Sequence, residues 1–150
     1  MLLGDEYGKA ETPYPDSICL GLLSGKIKGI EPAFYLIDRG GRSLRRVSPG
    51  HFLEKMAHIC LDQEWLGHAA LHFLFLTNFE LLERTWGPRG YRYAMLTAGR
   101  LGHRIYLGAT ALGIGCCGIG AFYDRDAAQL LGLNEPSSLL YLVAAGPVKN

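Results

Sequence analysis

Short apolar runs separated by turn residues predict strands in the first half of the chain. The run at residues 18–23 is bounded by turn residues, which is typical of a strand. Residues 34–37 predict a second strand, and residues 43–47 predict its hairpin partner beyond a Gly-Gly turn at 40–41. The run at 71–76 is compact and rich in aromatic residues, which indicates a buried strand.

Apolar residues at spacings of three and four predict helices between these strands. Ser48 and Pro49 indicate a helix start, because a hydroxyl cap often precedes a proline at the first helical position. The buried face of that helix is predicted to carry Phe52, Met56, Ile59 and Cys60. Asp62 and Glu64 predict another short helical piece, and Asn78 is expected to cap a helix after the 71–76 strand.

The longest predicted element is a helix at residues 90–112. Apolar residues recur there at an approximately helical period, and small residues such as Ala98 and Gly102 lie between them. A helix with small residues on several sides can pack closely against its neighbours, so we expect this one to be central. A further helix is predicted at 125–131, ended by Gly132, and residues 139–144 predict a closing strand.

The order of these elements favours an α+β fold, because strands and helices do not alternate strictly. A chain of 150 residues is long enough to bury a core. We therefore expect a single domain over residues 1–150, with an irregular arm at residues 1–17.

The charge balance argues against a general electrostatic grip on nucleic acid. The chain has 15 Lys and Arg residues against 14 Asp and Glu residues, a net charge of +1. One cluster of arginines, diluted by Asp38, is predicted to be a solvated turn and contains Arg39, Arg42, Arg45 and Arg46. The five histidines are scattered and no C-x-x-C or H-E-x-x-H occurs, so no metal site is expected.

The cysteines and the uncharged stretch at 105–123 are used to predict the cellular compartment of the protein and whether it crosses a membrane. Cys116 and Cys117 are adjacent and are not expected to pair with each other, and no signal peptide opens the chain, so a reducing cytoplasmic setting is predicted. Residues 105–123 approach the length of a membrane span, but glycines crowd them. A helix end followed by a glycine loop is predicted there instead, in a soluble protein without a membrane partner.

The glycine-rich segment is the strongest candidate for chemistry. Residues 113–118 match G-x-G-x-x-G, but a helix is predicted before them where a dinucleotide fingerprint needs a strand, so a Rossmann site is disfavoured. Glycines after a helix also let the backbone approach a flat ligand and offer its N–H groups. Two alternatives stay open: a ligand-binding loop, or a tightly packed helix cap without a ligand. Cys116 and Cys117 are likewise open to a redox role or to a role as small packing residues.

Several segments together resemble a known family. Residues 89–93 read R-G-Y-R-Y, residues 106–113 read Y-L-G-A-T-A-L-G, and residues 113–122 read G-I-G-C-C-G-I-G-A-F. Residues 29–35, G-I-E-P-A-F-Y, and 130–133, L-L-G-L, add to the pattern, as do 139–143, L-L-Y-L-V. These segments resemble the SagB-type dehydrogenase branch of the nitroreductase superfamily over residues 18–147, the C-terminal portion of that family's fold.

The resemblance implies an antiparallel-rich sheet flanked by helices, with one long central helix. It implies FMN as the cofactor, a homodimer with the flavin at the subunit interface, and transfer of hydride or electrons through the flavin. A small-molecule or peptide substrate and a nicotinamide donor are implied partners, while no catalytic residue is identified. The cofactor-binding residues that it implies are Arg92, Gly113, Gly115, Cys116, Cys117, Gly118, Gly120 and Lys149.

The chain also departs from the family pattern. No counterpart of the family's R-R-S-type segment, which grips the FMN phosphate, is found, so the chain is expected to be N-terminally short. The Lys-Tyr pair of azole-forming members is replaced by Thr85 and Trp86, which argues against azoline oxidation. The departures leave a second function open, that of a degenerate non-catalytic homologue acting as a partner or regulatory subunit, and a third interpretation, a truncated product that still folds.

Overall fold

The computed structural model describes residues 17–40 and 42–148, and within them six strands form one antiparallel sheet. The strands lie in the order β3-β2-β1-β4-β6-β5. Their bounds are Cys19–Ser24 for β1, Ala33–Asp38 for β2, Ser43–Pro49 for β3, Leu71–Asn78 for β4, Gly115–Ile119 for β5 and Ser137–Gly146 for β6. The predicted arm at 1–17 lies outside the described residues except for Ser17, and so does Lys149.

In the part of the chain that the structure describes, four α-helices cover the two faces of this sheet. They are α1 at Leu53–Ile59, α2 at Phe79–Trp86, α3 at Gly90–Ala111 and α4 at Asp124–Leu131, with short 3-10 helices at Glu64–His68 and Gly87–Arg89. Leu74 packs with α1 and α4, whereas the next residue, Phe75, packs with α2 and α3. Because successive strand residues point to opposite faces, the two pairs of helices lie on opposite sides of the sheet. The α+β fold with one long helix is thus confirmed.

Several small residues on the inward face of helix α3 let it lie close to the sheet. Ala94, Ala98 and Gly102 are buried on that face. A Cβ atom on Gly102 would come within 2.9 Å of the Tyr141 ring on β6. The prediction that small residues allow close packing of this helix is therefore confirmed.

Two predicted helix boundaries are confirmed by their capping atoms. The Asn78 side chain accepts a hydrogen bond from the N–H of Leu81 at 3.0 Å and caps α2. Gly132 follows α4 with φ +63°, the left-handed conformation that glycine adopts without a steric penalty. Both caps are local, which explains why the sequence alone reveals them.

The predicted helix start at Ser48 and Pro49 is wrong. Both residues belong to β3, where Ser48 pairs with Phe34 and Pro49 with Ala33. The chain leaves the sheet only at Gly50, with φ +141°, and α1 begins at Leu53. Because β3 is an edge strand, it tolerates a proline, and pairing with β2 outweighs the capping signal. Arg45 and Arg46 accordingly lie exposed on this strand and not in the predicted turn.

The predicted glycine loop after the long helix is also wrong in part. Only a short turn at residues 112–114 separates α3 from a further strand, because residues 115–119 pair with β6 as β5. Glycine is a weak strand former, so residue preferences do not reveal this strand. Strand β5 forms because the edge of β6 that does not pair with β4 supplies hydrogen-bond partners for its backbone.

One buried polar side chain in the sheet has an incomplete set of hydrogen bonds. His72 on β4 is fully buried, and its Nε2–H donates to the carbonyl of Leu66 at 2.9 Å. Its Nδ1 has no hydrogen-bond partner among the described residues. Burial lowers the pKa of His72 to about 4, although the Leu66 carbonyl acts in the opposite direction. The histidine is therefore neutral in the folded protein at neutral pH.

We predict that His72 makes the protein acid-sensitive. As the pH falls from 6.5 to about 4, His72 becomes protonated in the unfolded chain but stays neutral in the folded chain. The free energy of unfolding therefore falls across that window by up to about 3 kcal/mol. His72→Gln keeps a donor for Leu66 but cannot titrate, and should lose this part of the pH dependence in urea melts. The exposed His51→Gln is the control. An identical pH profile for His72→Gln and the wild type would contradict this role.

Candidate functional site

Strand β5 lies at one edge of the sheet and turns backbone N–H groups outward. The N–H of Gly118 points away from β6 and donates to the hydroxyl of Tyr106 on α3 at 2.6 Å. Because N–H groups alternate along an antiparallel strand, those of Cys116 and Gly120 face the same outer side. Gly120 and Ala121 are exposed, and their N–H groups donate to no backbone acceptor within the described chain. This edge therefore offers donors to a ligand.

The Tyr141 ring packs against β5 on the face of the sheet that α3 covers. Tyr141 lies on β6 between Gly118 of β5 and Gly102 of α3, and it packs on Phe75 with ring centroids 5.3 Å apart. A Cβ atom at Gly118 would come within 2.6 Å of the Tyr141 Cζ atom and closer still to its hydroxyl oxygen. Gly118 is thus required by packing, while a Cβ at Gly120 would meet nothing within 4 Å.

Two ionisable side chains beside β5, Tyr141 and Cys116, have raised pKa values. Burial raises the pKa of Tyr141, and neighbouring Tyr106, Cys117 and Cys116 raise it further. Burial also raises the pKa of Cys116, with a smaller contribution from Cys117. A raised pKa keeps the Cys116 sulfur as a thiol at neutral pH, which makes it a poor nucleophile. Cys116 also packs against the buried cluster that contains Phe75 and Val143, which favours a packing role for this cysteine.

The structure brings most of the predicted site residues together. Gly115, Cys116, Cys117 and Gly118 lie on β5, with Gly113 in the turn before it at φ +67° and Gly120 directly after it. Arg92 is exposed near the other end of α3. At roughly 1.5 Å of rise per residue it lies about 21 Å along the helix axis from Tyr106, so a single chain does not place it beside β5.

One exposed face of α3 carries apolar side chains and basic residues but no acidic ones. Arg92, Gly99 and Tyr106 recur every seven residues and share this face. Leu96 is 61% exposed and Leu107 is 53% exposed, and no Asp or Glu occurs in the helix. A Cβ atom at Gly99 would meet nothing within 4 Å. Leucines so exposed are suited to burial against another surface.

Sequence analysis missed two residues of the site, Tyr106 and Tyr141. Tyr106 contacts Gly118 only because α3 folds back along β5, and Tyr141 meets it only because of the β5–β6 register. The spacing of residues along the sequence predicts neither of these contacts. The two tyrosines occur in the segments that resemble the family, but their place beside the glycine strand depends on tertiary structure.

The open grooves on the other side of the sheet are separate from this edge. A groove of about 590 Å³ between α1 and α4 is lined by residues that include Lys55, His58 and Asp126, and a neighbouring groove measures about 380 Å³. Neither is lined by a residue of β5. Within residues 17–40 and 42–148, no group of three acidic, histidine or cysteine side chains is placed to hold a metal ion. None of the helices described has the length and apolar character of a membrane span.

Comparisons with known proteins agree with this architecture. The sequence model described as "Nitroreductase family" matches residues 39–147. A Methanocaldococcus jannaschii protein named "Putative nitroreductase MJ1384" is 30% identical over 114 residues, which are 76% of this chain and 58% of that protein. The chain therefore spans little more than half of this curated relative.

Two solved structures show the same fold. The crystal structure of a "putative nitroreductase" from Anabaena variabilis superposes with a TM-score of 0.84 at 27% identity, covering 89% of this chain and 27% of the other. The NADPH:FMN oxidoreductase from Vibrio harveyi, in complex with NAD⁺, has a TM-score of 0.59 at 20% identity and covers 72% of this chain and 50% of the other. The nitroreductase-like α+β fold expected from the sequence is thereby confirmed.

We predict that Gly118→Ala destabilises the protein and Gly120→Ala does not. The new methyl group at 118 would overlap the Tyr141 ring, and overpacking of this kind costs about 1–3 kcal/mol. The matched Gly120→Ala change adds the same methyl group in open space and should stay within about 0.5 kcal/mol of the wild type. Urea unfolding followed by circular dichroism measures both, and equal stabilities would contradict the packing of Tyr141 against Gly118.

Proposed function

Because the chain belongs to the nitroreductase family, we propose that it acts in an FMN-dependent oxidoreductase that transfers hydride or electrons through the flavin. The observation that carries the proposal is the end of β5, where the exposed residues Gly120 and Ala121 have N–H groups without backbone acceptors among residues 17–40 and 42–148. FMN, when bound, supplies the redox chemistry, and the protein's part is orientation and electrostatics.

The described residues fit the ring end of FMN. A planar ring with carbonyl and nitrogen acceptors needs donors without side chains in the way, and Gly120 offers open space at its Cβ position. The adjacent N–H of Ala121, which has no backbone acceptor among the described residues, is proposed as a second donor. The glycines of β5 and the turns around it would shape this end of the site.

The phosphate end requires cations, and Arg92 is the candidate on α3. We propose a homodimer in which two α3 helices pack antiparallel through the face that carries Arg92, Gly99 and Tyr106. Arg92 lies seven residues before Gly99 and Tyr106 seven residues after it. A two-fold axis at Gly99 would therefore bring the partner's Arg92 beside Tyr106 and the β5 edge. Gly99 lacks a side chain, which would let the two helices approach closely. Lys149 is proposed as a second phosphate contact and lies outside the described residues.

The proposal extends to the SagB-type branch of the family, the class of substrate and the electron donor. Support for the branch comes from the R-x-Y-R-Y and L-x-A-T-A-L-G segments of α3, and the substrate is proposed to be a small molecule or peptide. A nicotinamide donor is proposed because the Vibrio harveyi structure is named an NADPH:FMN oxidoreductase. All four cysteines are free, which supports a proposed cytoplasmic location.

A second candidate function is a non-catalytic partner or regulatory subunit. The observation that favours it is the Tyr106 hydroxyl, which already occupies the outward N–H of Gly118. Replacement of the family's Lys-Tyr pair by Thr85 and Trp86 also supports it. The two candidates differ in whether the purified protein retains flavin.

We predict that the purified protein binds FMN and that Arg92→Ala weakens the binding about tenfold or more. A charge-assisted hydrogen bond to phosphate contributes about 1.5–3 kcal/mol, and each 1.4 kcal/mol is about a factor of ten. The visible absorption spectrum detects bound flavin, and titration gives the dissociation constant. The exposed Arg125→Ala on α4 is the matched control.

Riboflavin, which lacks the phosphate, separates the two ends of the site. Its affinity should be nearly equal for the wild type and Arg92→Ala. Equal FMN affinity in both proteins would contradict a phosphate contact by Arg92. A wild-type protein that retains no flavin after incubation with FMN would contradict the oxidoreductase proposal and favour the partner subunit.

We predict that Leu96→Glu weakens the homodimer at least about tenfold. Leu96 is 61% exposed in one chain and would be buried in the dimer, where an unpaired carboxylate is costly. Sedimentation equilibrium measures the change, with Leu81→Glu on α2, at 51% exposed, as the control outside this face. Circular dichroism should show both variants folded, since both positions are exposed. A monomeric wild type at micromolar concentration would contradict the homodimer.

A further inference from the structure

Strand β3 forms the edge of the sheet opposite to β5. Among the described strands it pairs only with β2, and the first regular stretch of this pairing runs from Ser43 to Arg46. A bulge at Val47, which has no partner on β2, ends that stretch. On the outer side of residues 43–46, alternate residues therefore point their N–H and C=O groups away from the sheet. These groups can pair with a further strand.

The hairpin formed by β2 and β3 is strongly basic. Residues 33–49 contain four arginines and a single acid, Asp38, although the whole chain has a net charge of only +1. Arg45 and Arg46 are exposed on β3, and because they are adjacent they point to opposite faces of the sheet. Arg46 forms an exposed ion pair with Glu31 at 2.8 Å, whereas Arg45 forms no ion pair with a described residue. The open edge of β3 thus lies within a basic surface.

We propose that the β3 edge binds an acidic peptide segment, which adds to the sheet as a further strand beside β3. The backbone groups of the edge supply hydrogen bonds, and acidic side chains of the peptide lie opposite Arg45 and Arg46, one on each face of the sheet. Because neighbouring residues of a strand point to opposite faces, two consecutive acids fit this pair of arginines. This binding surface goes beyond the proposed flavin function and does not depend on it.

The side chains of β3 argue against two other occupants. Pairing with the β3 of a second copy, centred on Arg45 or Arg46, would place that arginine directly opposite its own copy, and like charges in that position are destabilising. Single-stranded nucleic acid is bound by cations together with aromatic rings on which the bases stack. No aromatic residue occurs in β3, where the exposed large apolar side chain is that of Val47.

The probe for this surface is a short fluorescent peptide with two consecutive glutamates in the middle of a threonine- and valine-rich sequence. We expect it to bind the wild type, and to bind Arg45→Glu about 3- to 10-fold more weakly, because an attraction between charges becomes a repulsion. Arg125→Glu on α4 is the matched control, since Arg125 is also exposed but lies outside the hairpin. It should bind the peptide as the wild type does.

Two further readouts separate strand addition from a general attraction between charges. A version of the peptide with methylated central backbone nitrogens keeps both glutamates but loses its donors, and should bind at least about tenfold more weakly. Amide hydrogen exchange at the outward N–H groups of residues 43–46 should slow when the unmodified peptide is bound. Failure of the acidic peptide to bind the wild type, equal binding to Arg45→Glu, equal binding of the methylated peptide, or unchanged exchange at residues 43–46 would each overturn the proposal.

Two other outcomes would assign the surface to a different occupant and also overturn the proposal. A short single-stranded RNA that binds more tightly than the peptide, and that Arg45→Glu weakens, would assign it to nucleic acid. Weaker self-association of Arg45→Glu than of the wild type in sedimentation would assign it to a second copy. FMN affinity should be equal in the two proteins, because β3 and β5 are opposite edges of the sheet. A loss of the flavin proposal therefore leaves this one standing, and the reverse also holds.

Discussion

The Tyr141 ring between Gly102 and Gly118 sets the spacing on which the candidate site depends. The ring extends from β6 and lies against both Gly102 of α3 and Gly118 of β5, so that a Cβ atom at either glycine would overlap it. With this packing the Tyr106 hydroxyl reaches the outer edge of β5 while the inward face of α3 stays buried. A larger residue at either glycine would push the helix or the strand away. The packing of Tyr141 in the core therefore also determines the geometry of the candidate site at the outer edge of β5.

Local signals in the sequence predict much of this fold. The Asn78 cap, the Gly132 cap and the long period of α3 each depend on residues within a few positions of one another. The errors occur where pairing with a distant strand decides the conformation. Ser48 and Pro49 carry a helix-start signal but join an edge strand, and the glycines after α3 form β5 because β6 offers them a backbone partner.

The candidate site divides in the same way. The glycines around β5 are recognisable from their order along the chain, since a motif is a property of sequence. The residues that shape their surroundings, Tyr106 and Tyr141, are set by the rotation of α3 about its axis and by strand register. Neither quantity can be obtained from a single sequence. The separation of about 21 Å between Arg92 and Tyr106 along α3 is a further example, because only the proposed homodimer would bring an Arg92 side chain near β5.

The position of β6 inside the sheet has a consequence for folding. Strand β6, at Ser137–Gly146, lies between β4 and β5, and its partner β4 ends at Asn78. The interior of the sheet therefore closes only after residue 146 has left the ribosome, and until then the apolar β4 keeps an unpaired edge. Pairings between segments so far apart in sequence form slowly. Until β6 pairs with it, this edge of β4 is open to pairing with a strand of another chain.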